Sequence, residues 1–426
     1  CSILAVVGDG MAGTPGIAAK LFNALGASGV NVRAIAQGAS ERNISVVIDA
    51  TQTARALGSV HASFYLSPHT ISIGLIGPGL VGSAFLDQLG SQAERLTREF
   101  RLDLRLRGVL TSKKMLLADR SVPMAHWREA LDAGDPPDLP RFVGHVDAVH
   151  LPHAVIVDCT ASAAIARHYP EWLAAGIHVV TPNKQAGSAD IAFYRTLAEA
   201  RRAGGSHYLY EATVGAGLPI IQTMRDLRET GDRIQAIEGV LSGTLSYLFN
   251  VWDGEQPFSA VVREAKAQGF TERDPRDDLS GTDVARKLII LAREMDLDLE
   301  LADVELEGLV PESLRATSAE EFLARVPEAD AAMLERLEAA RSRGKVLRYV
   351  GRLDADSRRA TVGLVELDRS HFLANMSLTD NVVSFTTSRY NRNPLVMRGP
   401  GAGPAVTAGG VFADLLRVCA YLGARL

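Results

Sequence analysis

Cysteine, strong net charge and long apolar runs are all scarce in this sequence, and each scarcity excludes a class of protein. The 426 residues include three cysteines, Cys1, Cys159 and Cys419, whose spacing suits no metal site, so we expect reduced thiols in a cytoplasmic protein. A formal net charge of -5 gives no argument for nucleic-acid or membrane partners. No apolar run approaches membrane-spanning length, and no signal peptide is visible.

Length and composition predict a multidomain globular protein. With 47% hydrophobic and 22% charged residues, the chain of 426 residues has room for two or three domains with cores of their own. It begins at Cys1, directly in a strand-like run and without an initiator Met. We therefore expect it to be a fragment of a longer polypeptide.

Residues 1–67 predict a small module of their own. SILAVVG reads as a strand, IAAKLFNALGASG as a helix, and VNVRAIAQ and ISVVIDA as two further strands. This βαββ unit resembles an ACT domain, a ferredoxin-like regulatory module that binds amino acids. The resemblance places Gly8, Asp9, Asn31 and Gln37 near an effector; the alternative is that Asn31 and Gln37 are ordinary turn and strand-edge polar groups.

Residues 68–205 predict a Rossmann-type, NAD(P)-binding α/β domain. The run ISIGLIGPGLVGSAFLDQL reads as a buried strand, a glycine turn and a helix. Glycines with GxGxxG spacing in this context permit a tight turn and a close approach of a pyrophosphate to the helix N-terminus. The turn comprises Gly77, Pro78, Gly79, Leu80, Val81 and Gly82. A glycine-rich turn without a ligand is the alternative.

Other residues of this domain fall where strands end. The strand LDLRLRGVL lacks the acidic residue that takes a ribose 2′-hydroxyl and is followed by Ser112, Lys113 and Lys114, which favours NADP, or use of both NADP and NAD. The two lysines are alternatively solvated loop charges. Thr160 follows the next buried strand, and Lys184 follows the strand after that, so both are expected at the edge that meets the nicotinamide or the substrate.

Residues 206–390 predict an α+β domain with a mixed sheet, for substrate binding, catalysis and dimerisation. It opens with the glycine-rich loop ATVGAGLPI, read as flanked by strands and either binding a cation or acting as a hinge. Residues 121–150 predict a surface connection within the preceding domain. Residues 391–426 predict a strand, a second glycine loop and a helix that returns to the nucleotide domain.

The segment GFTERDPRDDLSGTDVARK, residues 269–287, predicts a polar site. Its first half reads as a loop and its second as the start of a helix, with Ser280 as N-cap and Asp283 as the capping-box acid. Asp283 and Lys287 are four residues apart, so they share a helix face that continues into apolar residues. The alternative is a solvated surface pair worth a few tenths of a kcal/mol, on the order of 0.3.

Four motifs, ATVGAGLP, TPNK, SGTLSY and GFTERDPRDDLSGTDVARK, together resemble homoserine dehydrogenase over residues 68–426. With the ACT unit in front, the chain resembles the C-terminal part of a bifunctional aspartokinase–homoserine dehydrogenase without its kinase. The resemblance implies that residues 77–82, Lys113, Thr160, Lys184, Gly269 and Gly403 meet the cofactor. It implies a monovalent cation, sodium, on main-chain oxygens of Glu211, Val214, Ala216 and Leu218.

The same resemblance implies a reaction and its residues. Aspartate 4-semialdehyde is reduced reversibly to homoserine; Glu272, Asp278 and Asp283 bind or orient the substrate, and Lys184, Lys287 and Asp283 are catalytic. Lys287 is the candidate general acid, although the roles of the two lysines stay interchangeable at this point. A threonine effector and a dimer or tetramer are further implied. The rival hypothesis is a non-catalytic ACT–Rossmann regulator that senses an amino acid and a cofactor.

Overall fold

The computed structural model describes residues 1–65, 69–149, 151–376 and 379–426. The N-terminal module is a three-stranded antiparallel sheet with strand order β1-β3-β2 and two helices. Leu21, Leu25 and Val46 are fully buried between the sheet and the helices. Its elements are β1 (Ser2–Val7), α1 (Ile17–Ala27), β2 (Ala34–Gln37), β3 (Asn43–Ile48) and α2 (Thr53–Tyr65). The predicted βαββ order is therefore confirmed, while its expected boundary at residues 67 and 68 lies outside the described residues.

The nucleotide-binding domain is a six-stranded sheet with order β6-β5-β4-β7-β8-β9, parallel except for β6. Its central strand is buried at nearly every position, as expected of a parallel strand covered on both faces. Its elements are β4 (His69–Ile76), α3 (Leu80–Phe100), β5 (Leu102–Leu110), β6 (Met115–Leu117), α4 (Trp127–Asp132), α5 (Leu139–Val146), β7 (His153–Asp158), α6 (Ala163–Ala166), α7 (Tyr169–Ala174), β8 (His178–Val180), α8 (Lys184–Gly187), α9 (Ile191–Gly204) and β9 (Tyr208–Leu209). The sheet thus continues past residue 205, where we expected the domain to end.

The prediction of a surface connection over residues 121–150 was wrong, because this stretch contributes α4, α5 and part of the core. Phe142 and Val146 of α5 are fully buried. A Cβ atom added at Gly74 would lie 2.6 Å from Val146, and one added at Gly108 would lie 2.7 Å from the Phe142 ring. The two glycines therefore let α5 pack directly on the sheet, a pairing that the proline- and aspartate-rich local sequence does not reveal.

The third region is a six-stranded mixed sheet with order β11-β13-β12-β10-β14-β15, covered by helices. Only the β11–β13 pair is parallel among these strands, so the predicted mixed sheet is confirmed. Its elements are α10 (Ile220–Glu229), β10 (Ile234–Val240), α11 (Gly243–Val251), α12 (Phe258–Ala267), α13 (Pro275–Leu279), α14 (Thr282–Glu294), β11 (Val304–Leu306), α15 (Ala319–Arg325), α16 (Asp330–Ser342), β12 (Lys345–Asp354), β13 (Arg359–Asp368), β14 (Asp380–Thr387), β15 (Leu395–Pro400) and α17 (Pro404–Tyr421). The glycine loop before α10 leads into a helix, not the predicted strand.

The helix α17 packs on the nucleotide-binding domain, as predicted for the C-terminal segment. Phe412 meets the Phe85 ring of α3 edge to face at 6.2 Å, and Val411 and Leu415 are fully buried. The Gln88 side chain donates a hydrogen bond to the Ala405 carbonyl. The preceding strand β15, by contrast, pairs with β14 in the third region. The chain therefore crosses between the two sheets at the glycines of residues 401–403.

Candidate active site

The glycine turn between β4 and α3 has the shape that a dinucleotide requires. Gly77 has φ 81, and a Cβ atom there would lie 2.6 Å from the Thr160 side chain. A Cβ atom at Gly82 would lie 2.4 Å from the Gly77 carbonyl oxygen, so the helix could not approach the strand with a larger residue. Nothing lies within 4 Å of a Cβ atom built at Gly79. The first turn of α3, whose Leu80 is 79% exposed, is therefore open to a phosphate group.

Proline limits the amide donors that this turn can offer. Pro78 has no N–H to offer to a phosphate, and its carbonyl accepts a hydrogen bond from the Ser83 hydroxyl. The donors left at the helix start are main-chain amides such as those of Val81 and Gly82. Together with Gly79, these residues fit the pyrophosphate of a nicotinamide dinucleotide.

A tight turn after β5 presents the lysines predicted to meet the far end of that cofactor. The Thr111 hydroxyl accepts hydrogen bonds from the amides of Lys113 and Lys114, at 3.1 and 2.8 Å. The Lys114 ammonium donates to the Gly134 carbonyl, whereas the Lys113 side chain is exposed and its ammonium group has no hydrogen bond or ion pair with the described residues. Of the two lysines, Lys113 is thus the one whose ammonium group is open to solvent.

Asp283 joins lysines from the two large domains. Its carboxylate lies 2.9 Å from the Lys287 ammonium on the same helix and 3.2 Å from the Lys184 ammonium at the start of α8. Lys287 is 7% exposed and also donates to the Leu241 carbonyl at 2.7 Å. The surface-pair alternative is therefore excluded for Lys287. The bridge to Lys184, across 99 residues of sequence, is a contact that sequence spacing did not reveal.

Burial and charge act against each other in this triad. Burial lowers the pKa of Lys287, although Asp283 opposes that shift. Burial also opposes ionisation of Asp283, but the ammonium groups of Lys287 and Lys184 outweigh it and hold the pKa of Asp283 well below its usual range. The Asp283 carboxylate is therefore ionised between two ammonium groups, and burial destabilises the charged form of one of them, Lys287. A lysine whose charged form is destabilised is suited to donate a proton.

The segment before α14 differs from its prediction at the helix start. Residues 275–279 form the short helix α13, and Ser280 ends that helix. The N-cap of α14 is Gly281, with φ 72 and no side-chain cap, so the prediction of a Ser280–Asp283 capping box was wrong. Asp283 instead points to the lysines. The local signal for a capping box was overridden by this ion pair between domains.

Asp278 is a half-buried carboxylate of the acidic segment. It accepts hydrogen bonds from the Thr244 hydroxyl and from the Glu272 amide, both at 2.8 Å. Burial raises the pKa of Asp278 to about 6. Glu272 itself is exposed, with its main chain fixed by Asp278. The two acids form a negative surface that suits an ammonium group. Thr244 was missed from the sequence, although it lies in the SGTLSY motif.

Gly269 and Gly403 both border the turn that contains Thr244. Gly269 has φ 75, and the carbonyl oxygen of the following Phe270 lies 2.6 Å from the Thr244 hydroxyl, which has one hydrogen to share between this oxygen and Asp278. Gly403 has φ 116 and is the N-cap of α17; its neighbour Ala402 would lie 3.6 Å from a Cβ atom at Gly243. No neighbour lies within 4 Å of a Cβ atom at either Gly269 or Gly403. Both glycines therefore expose backbone.

Residues 211–218, the loop predicted to hold a cation, have a strained backbone and pack against α17. Ala216 has φ 55, and a Cβ atom on Gly410 of α17 would lie 2.5 Å from the Ala216 carbonyl oxygen. The Glu211 carboxylate accepts the amides of Ile221 and Gln222 at the start of α10, so only its main-chain oxygen is available to an ion. The main-chain oxygens of residues 211, 214, 216 and 218 stay the predicted ligands, and that of Leu218 also accepts the Ile220 amide at 2.8 Å. No group of three or more His, Cys, Asp or Glu residues suited to a metal occurs among the described residues.

The ACT-like module has a cavity of about 320 Å³ at the start of α1. Gln37 lines it, together with Met11, Thr14 and Glu41. Asn31 is exposed and does not line it. The Glu41 carboxylate accepts the Gly13 amide at 2.8 Å, beside Gln37. Of the four residues predicted near an effector, Gln37 lines this cavity, whereas Gly8, Asp9 and Asn31 do not.

Comparison with known proteins agrees with this arrangement. Residues 219–416 match the family model described as homoserine dehydrogenase, residues 77–211 the homoserine dehydrogenase NAD-binding domain, and residues 4–64 an ACT domain. The chain belongs to the homoserine dehydrogenase family. Its nucleotide domain is thus of the NAD(P)-binding kind, and its N-terminal module is an ACT domain.

Individual relatives show how much of a longer protein this homoserine dehydrogenase family member corresponds to. It is 54% identical over 428 residues to a chloroplastic bifunctional aspartokinase/homoserine dehydrogenase 2 of Arabidopsis thaliana, covering 100% of this chain and 47% of that protein. The chain thus spans about half the length of such relatives. A crystal structure of a Candida auris protein of unknown function is 37% identical, with a TM-score of 0.76, covering 83% of this chain and 98% of that one. A hyperthermophilic archaeal homoserine dehydrogenase in complex with NADPH, at 20% identity and TM-score 0.65 over 83% of this chain and 99% of that one, shares the fold.

The described parts of the chain contain no helix with the length and apolar character that crossing a membrane demands.

Proposed function

We propose that this homoserine dehydrogenase family member reduces L-aspartate 4-semialdehyde reversibly to L-homoserine. The observation that carries the proposal is the Asp283 carboxylate, which holds Lys184 of the nucleotide domain and Lys287 of the catalytic domain at 3.2 and 2.9 Å. The triad lies at the junction where a cofactor on one domain would meet a substrate on the other. A nicotinamide dinucleotide, when bound, supplies the hydride.

The protein's own groups bind the substrate and move a proton. Asp278 and Glu272 suit the substrate's ammonium group. Lys287 is our candidate donor of the proton that the developing alkoxide needs, because burial weakens its hold on that proton. Lys184, whose side chain is 30% exposed, polarises the carbonyl group or holds the substrate carboxylate. Asp283 keeps both ammonium groups in place.

The test follows NADPH absorbance with purified protein and aspartate semialdehyde. We expect rapid oxidation with homoserine as product, and Lys287→Ala is expected to lower kcat by about 100-fold or more while cofactor binding is retained. Lys345→Ala, at the start of β12, is the matched control and should keep the wild-type rate. An unchanged kcat in Lys287→Ala would refute its role. Cofactor binding without turnover in the wild type would favour the regulatory hypothesis.

We propose a preference for NADPH, on the basis of the exposed Lys113 after β5. Its ammonium group suits the 2′-phosphate, which NADH lacks. Lys113→Ala is expected to raise KM for NADPH about tenfold and to leave KM for NADH unchanged, because one charge-assisted contact contributes about 1.5 kcal/mol. Lys114→Ala is the control from the same turn. An equal change of both KM values in Lys113→Ala would contradict the assignment.

We further propose sodium at the carbonyl loop of residues 211–218. If the ion binds the folded chain, NaCl should raise the melting temperature above that in choline chloride at equal ionic strength. Equal melting temperatures would exclude the site.

The remaining proposals concern setting and assembly. Threonine is proposed as effector at the ACT cavity lined by Gln37, and a dimer or tetramer as the assembled form. A cytoplasmic setting is supported by Cys1, Cys159 and Cys419, all free thiols. Isothermal titration with threonine and sedimentation of the purified chain test the first two.

A further inference from the structure

Asp158 lies where no catalytic contact would be expected. It is the last residue of β7, a strand next to the centre of the nucleotide-binding sheet, and it is fully buried. A carboxylate in such a place is costly unless several donors surround it. Burial accordingly raises the pKa of Asp158. The hydrogen bonds that offset this cost join several segments of the domain to Asp158.

One oxygen of Asp158 holds the loop that carries Thr160. The Thr160 amide donates to Oδ1 at 2.8 Å, and the Thr160 hydroxyl accepts the Ser162 amide at 3.1 Å. The Thr160 side chain also lies against Gly77 of the dinucleotide turn. The carboxylate thus fixes the loop that faces the proposed nicotinamide position.

The other oxygen holds the turn that carries Lys184. Asn183 is 2% exposed and donates from Nδ2 to Asp158 Oδ2 at 3.0 Å. Its own Oδ1 accepts the Gln185 amide at 3.0 Å and so caps α8, the helix that begins with Lys184. The same Nδ2 donates to the Ser162 carbonyl at 3.0 Å, which ties the two loops together.

A buried tyrosine and threonine complete the network. The Tyr169 hydroxyl donates to Asp158 Oδ2 at 2.5 Å, and the Thr181 hydroxyl donates to the Asp158 carbonyl at 2.7 Å. The Asn183 amide donates to the Thr181 hydroxyl at 2.9 Å. All these groups are satisfied inside the protein, and such closed networks fix geometry more than they add stability.

We propose that Asp158 is a positioning residue that sets the distance between the nicotinamide-facing Thr160 loop and Lys184. It touches neither substrate nor cofactor and acts through the Thr160 amide and the Asn183 side chain. This inference rests on the proposed dehydrogenase function. It follows that the relative placement of hydride donor and active-site lysine depends on one carboxylate beneath both.

The test is Asp158→Asn, which keeps the size but turns one acceptor into a donor. If the retained oxygen accepts the Thr160 amide, the new NH₂ group faces the NH₂ group of Asn183, and that hydrogen bond is lost. We expect kcat to fall about 10- to 100-fold, as when supporting groups around a site are removed. The dissociation constant for NADPH, measured by its fluorescence, should change less than about threefold, because the glycine turn is untouched.

Ser72→Ala is the structural control. Ser72 is fully buried on neighbouring β4 and donates to the Val146 carbonyl at 2.6 Å, so its loss should lower stability without lowering kcat. Asn183→Ser is the second variant, which serves if Asp158→Asn does not fold. Serine still caps α8 but cannot reach Asp158, and the same drop in kcat with retained NADPH affinity is expected.

Exchanging the donor and the acceptor should change kcat in a way that a change in stability alone would not. In Asp158→Asn/Asn183→Asp the bond between the two positions can form again in reverse, so part of the lost kcat should return. Equal kcat values in Asp158→Asn, Asn183→Ser and Ser72→Ala would overturn the inference while wild-type turnover upholds the proposed function. A wild type that binds NADPH but turns nothing over would overturn both.

Discussion

Replacing Asp283 by asparagine removes the charge that Lys184 and Lys287 share and leaves the side chain's size unchanged. In the folded protein this charge lies 2.9 Å from the Lys287 ammonium and favours its protonated form. Reduction of an aldehyde consumes a proton, so the proposed donor must be protonated, and activity falls as pH rises through the pKa of Lys287. Without Asp283 that pKa is lower, and the alkaline limb of the pH profile must move to lower pH.

The size of the shift can be worked from the geometry. Two unit charges about 4 Å apart at an effective dielectric constant of about 20 attract by about 4 kcal/mol, which corresponds to about three pKa units. The Asp283 side chain is 45% exposed, so solvent screens a large part of this attraction. We therefore expect a shift of about one unit, or about a tenfold loss of reduction rate along the alkaline limb.

The assay is the full pH profile of kcat in both directions, with NADPH and aspartate semialdehyde for reduction and NADP with homoserine for oxidation. Oxidation needs an unprotonated acceptor, so its rate rises with pH, and the lower pKa in Asp283→Asn moves this rise to lower pH as well. Both limbs should therefore move in the same direction and by the same amount.

Asp277→Asn is the control, because Asp277 is an exposed carboxylate of α13 in the same acidic segment. It should leave both limbs in place. If the limbs of Asp283→Asn stay where they are in the wild type, or move to higher pH, then neither lysine titrates under the control of Asp283. The proton would then come from another group.

Three further predictions concern stability, each read from the urea midpoint. Gly281→Ala should lower the free energy of unfolding by about 2–3 kcal/mol, because φ is 72 and the new Cβ would lie 1.9 Å from the Tyr349 hydroxyl. The control is Gly231→Ala, which has φ 81 but open space and should cost about 1 kcal/mol. Equal losses in the two variants would contradict the steric argument. Phe142→Ala should lower the free energy of unfolding by about 3–5 kcal/mol, because the ring is fully buried. A loss below about 1 kcal/mol would contradict the burial of α5 and favour a surface connection over residues 121–150. Burial raises the pKa of Glu211 to about 7 from the ordinary 4.5, so the protonated carboxyl group stabilises the folded protein below pH 4.5 and this stabilisation is lost as pH rises to about 7. Relative to Glu211→Gln, the free energy of unfolding of the wild type should fall by about 3 kcal/mol over that interval. A free energy of unfolding that rises with pH relative to Glu211→Gln would contradict this prediction.

Short-range patterns predicted the parts of the molecule whose chemistry is local. The dinucleotide turn follows from glycine spacing between a strand and a helix, because Gly77 adopts φ 81 and Gly82 lies against the Gly77 carbonyl a few residues before it. The helix face shared by Asp283 and Lys287 follows from four-residue spacing in the same way. These features were visible because helix and turn geometry is set by neighbours in sequence.

Contacts between distant segments were not visible. The Asp283–Lys184 bridge and the Asp158–Asn183 bond each join residues from different elements, and no spacing rule connects them. The capping box at Ser280 failed for the same reason: the ion pair with both lysines competes for the Asp283 side chain and wins. Phe142 was misread because its partners are glycines on two other strands, and a glycine carries no sign of what packs on it.

The return of α17 to the nucleotide-binding domain has a consequence for how the protein is made. Gln88 and Ala405 are hydrogen-bonded although 317 residues separate them in sequence. The core beneath the dinucleotide turn therefore stays incomplete on the ribosome until the whole catalytic region has been translated. During that interval the apolar surface of α3 around Phe85 lacks its α17 partner, and such exposed surfaces promote aggregation. Chaperone dependence should accordingly be concentrated in the nucleotide-binding domain, which emerges before the catalytic region does.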